Sequence, residues 1–293
     1  MDLKRLRYFV TVADELHFGR AAEKLHMAQP PLSQQIRQLE ADLDLTLFER
    51  TTRRVELTPA GVLLHDEARR LLVAAESVER VMEEHRGGHG GLLRLGFVDS
   101  SAYEAMPRFL RAYRRRWPGV DLDLHSMSSD EPLDALLAGE IDLGINRALG
   151  GRAEVRSVPF LRERLHVAVD PGHRLAAHKT TSLARLGGEP FIGFDRRVSP
   201  TLHADLVAMF AAVGVGYDPI IEATEYTTIV GLVAAGQGLA VVPDGVRLFA
   251  RPDVHYARLR DPAAAVSLVM SSRLDERLRL VDNAFALMAE LFG

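Results

Sequence analysis

No cysteine occurs among the 293 residues, which excludes disulfides, thiolate zinc fingers and thiol redox sensing. Long apolar runs are missing as well. No stretch approaches a membrane span, and the opening residues MDLKRLRYF lack the apolar core of a secretory signal. The chain is therefore expected in the cytoplasm, without a membrane partner. Net charge is only −4 and gives no hint of nucleic acid. Even residues 1–58 balance nine Lys and Arg against nine Asp and Glu, so any DNA affinity must come from local clustering. Catalytic sets are absent too. The eleven histidines are scattered, with no H-E-x-x-H and no pair at metal spacing, and Asp99-Ser100 lacks a G-x-S-x-G elbow. His65, His85 and His89 read as solvated, and Asp195-Arg196-Arg197 as a surface loop. A non-enzymatic protein without metal or resident cofactor is expected.

What is present describes a soluble globular chain, 47% hydrophobic and 26% charged, long enough for two domains. The informative stretch is RAAEKLHMAQPPLSQQIRQLEADLDLTLFERTTRRVELTPAG, residues 20–61. Leu32, Ile36, Leu39 and Leu43 fall at spacings of four, three and four, one buried helical stripe. Ser33, Gln34, Arg37 and Gln38 occupy the other face, with groups able to bond base edges and phosphates. Pro30 and Pro31 sit at the helix start, where a missing N–H costs nothing. A preceding helix, about Arg20 to Leu25, carries Ala21 and Ala22, small enough for a close helix crossing. Arg50, Arg53 and Arg54 lie in or beside a short β-ribbon ending at Leu57, suited to phosphates or a minor groove. Gln35, Gln38 and Glu40 taken singly read as ordinary solvated positions. Gln29, Pro30, Pro31, Ser33, Gln34, Arg37, Arg50, Arg53 and Arg54 form the DNA-contact set of a winged helix-turn-helix.

This stretch resembles the N-terminal signature of LysR-type transcriptional regulators. The likeness runs through Ala21-Ala22, Leu25, Gln29-Pro30, Leu32-Ser33, Ile36, Leu39-Glu40, Leu47-Phe48-Glu49-Arg50 and Leu57-Thr58-Pro59-Ala60-Gly61. Two places depart from the pattern. Gly19 stands where the family often has a Ser or Thr cap, which predicts a weaker helix start. Asp44 replaces a glycine after the recognition helix, and Asp tolerates left-handed backbone. The lack of cysteine also sets the chain apart from the peroxide-sensing branch.

Thr58 and Pro59 signal the start of another helix. Leu64, Ala68, Leu71, Ala75, Val78 and Met82 follow at heptad spacing, on a rod of roughly 28 residues and about 40 Å. A partner chain is the expected cover for that stripe. The resemblance implies antiparallel pairing of two such linkers, giving a dimer and then a tetramer that presents recognition helices to successive operator half-sites. Gly87-Gly88-His89-Gly90-Gly91 reads as a hinge.

From Leu92 the pattern alternates: strand LLRLGFV, a helix from about Tyr103 to Arg116, strand VDLDLHS, a short helix Leu133–Ala138, strand IDLGIN. A second series starts near Leu165–Val169 and includes Phe191–Phe194, a helix from Pro200 and a strand at Leu239–Val242. A strand near Val266–Ser271 and a helix Asp275–Leu291 close the chain. Such order argues for parallel α/β lobes. They resemble the periplasmic-binding-protein-like effector domain of the family. The fold class is thus α+β multidomain: winged helix-turn-helix over 1–58, linker helix and hinge over 59–91, effector domain over 92–293. Lobe I is placed at about 92–161 and 268–293, lobe II at about 162–267. LVAAGQGLAVVP places Gly236-x-Gly238 after a helix and before a strand, the reverse of a dinucleotide loop.

Ligands of such sheets sit beyond the carboxyl ends of strands. Ser100-Ser101, Ser128-Ser129 and Ser199-Pro200-Thr201 occupy those places, and Arg147 follows IDLGIN; one cation among hydroxyls suits a carboxylate. Leu202, Phe160 and Tyr226 are candidate apolar walls. Capping alone accounts for Ser128, in the box with Glu131, and for Ser199 before Pro200. Ser100, Ser129 and Thr201 divide evenly between capping and ligand. The resemblance matches them to effector contacts of regulators of aromatic catabolism, in a set of Ser100, Ser129, Arg147, Pro200, Thr201, Leu202 and Thr227. For Arg147 the alternative is a structural bridge to Glu140 or Asp142. The resulting expectation is a regulator binding a double-stranded operator, answering to a small-molecule co-inducer (an aromatic acid or dicarboxylate) and working with RNA polymerase. Its rivals are a DNA-binding oligomer without a sensor, and an α/β enzyme or solute-binding protein with an incidental helical domain.

Overall fold

The computed structural model describes residues 2–50, 54–87, 90–128, 131–147, 152–249 and 251–293, with backbone alone at 77, 80, 81 and 83–87. The chain divides into two compact units, residues 1–85 and 86–293.

In the first unit, α1 (Leu3–Glu15), α2 (Phe18–Lys24) and α3 (Gln29–Leu43) precede the two-stranded wing β1 (Phe48–Arg50) and β2 (Val55–Leu57), and α4 (Pro59–Gly87) follows. Leu32, Ile36 and Leu39 of α3 are buried against Phe9, Val12, Ala21 and Ala22, while Leu43 is only partly buried there. Phe48 seals the bottom, its ring 5.3 Å from Phe9 and 5.8 Å from Phe18. The cap of α2 falls on His17, whose Nδ1 accepts the amides of Gly19 and Arg20 at 3.1 and 3.2 Å. A ring nitrogen thus replaces the expected hydroxyl at Gly19, and the helix starts two residues earlier than its apolar pattern suggested. Asp44 does take the left-handed region, at φ 53°.

Thr58 Oγ1 accepts the amide of Gly61 at 3.0 Å and donates to the Thr46 carbonyl at 2.7 Å, binding the start of α4 to the segment before β1. The heptad stripe of α4 divides. Leu64, Ala68 and Leu72 turn into the core of this unit, whereas Leu63, Leu71, Val78 and Met82 are exposed. His65 is not solvated: Nε2 lies 2.9 Å from Asp14 Oδ1. The side chain of His85 and all of His89 lie outside the described residues.

The second unit contains β3 (Gly91–Val98), α5 (Ala105–Arg116), β4 (Val120–Met127), α6 (Glu131–Leu137), β5 (Leu143–Asn146) and β6 (Val155–Val169). Then come β7 (Thr180–Thr181), β8 (Phe191–Phe194), α7 (Pro200–Ala211), β9 (Pro219–Ala223) and α8 (Tyr226–Ala234), and last β10 (Ala240–Pro243), β11 (His255–Leu259), β12 (Ala265–Arg273) and α9 (Arg279–Phe292). Strands β4, β3 and β5 are parallel neighbours, and β12 and β6 continue the sheet antiparallel. Along β6 the partner changes: Val155–Arg164 pairs with β12, Leu165–Ala168 with β10 and His166–Val169 with β11. Strands β8 and β9 form a separate parallel pair.

Three features differ from the sequence expectation. Strand β6 begins ten residues before Leu165, because a bulge opposite Leu268 and Val269 accommodates Pro159, which otherwise argues against a strand. A 3-10 turn, Asp99–Tyr103, precedes α5, so that helix starts at Ala105. Short strands β7, β9 and β11 carry too little alternation to stand out. Gly238, at φ +150°, is forced by proximity: a Cβ there would lie 2.5 Å from the Pro190 carbonyl.

Gly61 is equally tight, since its Cβ would stand 2.2 Å from the Leu47 carbonyl oxygen. Backbone cannot yield as a side-chain tip can, so Gly61→Ala is expected to cost at least about 2 kcal/mol. Urea denaturation followed by helix content checks this; a midpoint within error of wild type would contradict the tight approach.

Candidate functional site

The surface expected to face DNA is built by α2, the turn through His26 (φ 51°) and α3. Pro30 and Pro31 open α3 at its first positions, and no side chain caps it. Gln29, Pro30, Pro31, Gln34 and Arg37 are exposed and Ser33 half-buried, outside the buried stripe of Leu32, Ile36 and Leu39. Arg37 Nε donates to the Ser33 carbonyl at 3.3 Å, which steadies the side chain along the helix and leaves its remaining N–H groups for a ligand. Gln38 is turned aside to Asp42 at 2.9 Å.

The wing is tied to α3 by Glu40, a position whose charge alone suggested solvation. One carboxylate oxygen accepts the amides of Leu47 and Phe48 at 2.9 and 3.2 Å, and the other accepts Arg50 at 2.6 Å. Arg50 also lies over the Phe18 ring, 4.8 Å from its centroid, so its first role is to hold the wing. Arg54 is exposed beside Glu56 at 2.7 Å. Arg53 lies outside the described residues.

In the second unit a cavity of about 300 Å³ opens at the carboxyl ends of five parallel strands. Val98, Asp99 and Ser100 come from the end of β3; Ser126, Met127, Ser128 and Glu131 from β4 and the start of α6; Arg147 from β5. Phe194, Val198, Ser199 and Leu202 follow β8, and Thr224, Glu225 and Tyr226 follow β9. Arg147 and Glu163 form a buried pair at 2.7 Å, each side chain 3% exposed. Ser100 Oγ accepts two further bonds from the same guanidinium, at 3.2 and 2.8 Å. Arg147 Nη1 has no partner among the described residues, nor does the buried Tyr226 hydroxyl.

Arg147 therefore pairs with neither Glu140 nor Asp142; Asp142 takes Arg94 at 2.9 Å instead. Ser100 caps nothing and faces the cavity. The Ser128 amide donates to Glu131 at 2.6 Å, one arm of the expected box. Ser199 corrects its reading: it stands before Pro200, but its side chain makes no capping bond and lines the cavity. Leu202 and Tyr226 line the cavity as walls. Pro200, Thr201 and Thr227 are not among its lining residues, and Thr227 donates to Glu225 at 3.3 Å. Phe160 is turned away, 5.5 Å from the Phe292 ring. Ser129 lies outside the described residues. Asp195 is not loose surface; Arg197 donates to it from backbone and side chain, which holds its carboxyl down to about 2. Glu163, Asp99, Thr224, Glu225 and the Tyr226 hydroxyl are among the site residues that spacing did not reveal. Glu163 sits in an Arg-Glu-Arg run, where nothing local marks it as buried.

A helix-turn-helix unit with a wing, followed by an α/β unit with a polar cavity at its strand ends, defines the class of ligand-responsive DNA-binding regulators. Residues 3–62 match the model of "Bacterial regulatory helix-turn-helix protein, lysR family" and residues 86–292 that of "LysR substrate binding domain". The chain belongs to the LysR family of transcriptional regulators. It is 35% identical over 293 residues to the regulator AlsR of Bacillus subtilis, covering 97% of this chain and 94% of that protein. The structure of CbnR complexed with its target DNA superposes with a TM-score of 0.74 at 28% identity, covering 100% of both chains. The BenM effector-binding domain with its effector benzoate gives a TM-score of 0.64 at 26% identity, covering 69% of this chain and 91% of that one.

His166 lies beside the Glu163 stretch of β6. It is buried, accepts from Arg247 at 3.2 Å and lies 3.5 Å from Asp244. Burial holds its pKa below 6.5, with Asp244 opposing and Arg247 and Arg258 adding to the effect. The native state keeps this imidazole neutral, so its contribution is present above pH 6.5 and lost as pH falls through the lower folded value. Wild type should lose thermal stability between about pH 7.5 and 5.5 more steeply than His166→Gln. Parallel melting curves for the two proteins would show that His166 does not carry the effect.

Proposed function

We propose that this regulator is a cytoplasmic, non-enzymatic homo-oligomer that reads an operator through α3 and the wing and is switched by a small acid. The domains divide as 1–58 for DNA, 59–91 for dimerisation and hinge, and 92–293 for the effector, with lobes at about 92–161 with 268–293 and 162–267. The observation that carries the sensor reading is the cavity at five strand ends, lined by Arg147, whose Nη1 has no partner among the described residues, together with Ser100, Ser128, Ser199 and Thr224. Benzoate, the effector in the BenM structure, supports an acid as ligand. The CbnR structure with its target DNA supports an operator as the partner, and in such a motif the second helix of the turn, here α3, enters the major groove while basic side chains of the wing meet phosphates. Exposed Leu63, Leu71, Val78 and Met82 on α4 support pairing of linkers between two chains, and two dimers make the tetramer. Ligand binding shifts a population between arrangements that space the operator contacts differently, and RNA polymerase reads the result.

Gln34→Ala and Arg37→Ala are each expected to weaken specific operator binding by about 1–3 kcal/mol, the worth of a bidentate base contact. Operator affinity unchanged in both variants would remove α3 from recognition. A footprint on the DNA upstream of its own gene tests the switch. A long, two-part protected region that shortens or shifts with one acid is expected, and a footprint identical at saturating effector counts against it.

A further inference from the structure

The cavity offers two buried donors and little room for charge. The Arg147 guanidinium spends Nε and Nη2 on Ser100 and Glu163, which leaves Nη1, buried on a residue of the cavity lining, without a partner among the described residues. Tyr226 is 3% exposed, fixed edge-on to Tyr103 at 6.2 Å and against Phe194 at 5.1 Å, and its hydroxyl is likewise unmatched. A buried donor left without an acceptor is destabilising, so the two together call for one acceptor group. Against them stand three carboxyl side chains on the same lining, Asp99, Glu131 and Glu225. The single lining arginine is already offset by Glu163 at 2.7 Å.

We propose that the cavity selects an acid with one carboxylate and no second negative charge, clamped between Arg147 Nη1 and the Tyr226 hydroxyl. This rests on the acid-sensing reading above and narrows it, removing dicarboxylates from the candidate effectors. A first carboxylate meets both free donors. A second meets Asp99, Glu131 or Glu225, with no further cation on the described lining to offset it. Tyr226 is then a specificity-determining contact and not only an apolar wall. The volume, about 300 Å³, is at the lower end of ligand pockets and fits a small acid.

Calorimetric titration of the full chain in a carboxylate-free buffer tests this, with butyrate, benzoate and two isosteric pairs: succinamate against succinate, and terephthalamate against terephthalate. Each pair differs by one charge at constant shape. The tightest ligand is expected to be a monoanion, and each diacid to bind at least about tenfold more weakly than its half-amide. Tyr226→Phe, which keeps the ring, should weaken the tightest monoanion about tenfold, the value of one hydrogen bond to a charged group. The double variant Glu131→Gln with Glu225→Gln should narrow the gap within each pair. A diacid that binds as tightly as its half-amide overturns the charge selection, and an unaltered Tyr226→Phe overturns the clamp. Failure of all six acids to bind, with operator binding intact, overturns the acid-sensing reading itself.

Discussion

Burying a guanidinium costs several kcal/mol unless a carboxylate and further acceptors surround it, and the cavity of the second unit is arranged about one such pair. Arg147 stands at the end of β5 and Glu163 on β6, just before that strand exchanges β12 for β10 and β11. Ser100, from the end of β3, completes the coordination. The pair with Ser100 therefore ties the ends of β3 and β5 to the middle of β6. Breaking either partner leaves an uncompensated charge in a dry place, so the position of Arg147 is set by more than its own backbone. The pair leaves Nη1 unused, and that remainder is what the cavity can offer a ligand.

The first unit uses a carboxylate in a comparable way. Glu40 gathers two backbone amides and Arg50 at one point, attaching the wing to α3. Net charge near zero over residues 1–58 is consistent with this division. Acidic residues such as Glu40, Asp42 and Glu15 are turned to arginines, lysine and backbone within the unit. Gln29, Gln34 and Arg37 stay exposed on α3. Local arrangement, not total charge, makes the surface.

What could be read from the sequence follows from periodicity. Leu32, Ile36 and Leu39 repeat at helical spacing and are buried, and Thr58-Pro59 begins a helix where the capping chemistry says it should. The alternation of β3, β4 and β5 with helices fixed their parallel order and hence the side on which a ligand sits. Features that depend on distant partners were not legible. Pro159 concealed the first half of β6, because its bulge is set by β12 more than a hundred residues later. The helix-start pattern at Ser199 suggested a cap, yet its hydroxyl lines the cavity. Nothing local marks Glu163 as the partner of Arg147 or the Tyr226 hydroxyl as unmatched.

Signalling requires a ligand to favour one arrangement over another, and a ligand touching one wall alone would shift nothing. The cavity walls come from two groups of strands, β3, β4 and β5 on one side and β8 and β9 on the other, which do not pair with each other. They are connected through β6 and β12 and through a row of rings. Phe249 lies 5.1 Å from Tyr103, Tyr103 lies 6.2 Å from Tyr226, and Tyr226 lies 5.1 Å from Phe194. Tyr103 belongs to the turn after β3 and is bonded to Asp99, whereas Tyr226 and Phe194 belong to the β8–β9 side. An acceptor bound by Arg147 and Tyr226 at once would join the two groups. Its affinity would then depend on their separation, which is the differential interaction that a switch needs. A ligand held by Arg147 and Ser100 alone would bind without that dependence. Contact with both sides, more than tightness, is therefore the property that separates an effector from a mere occupant of this cavity.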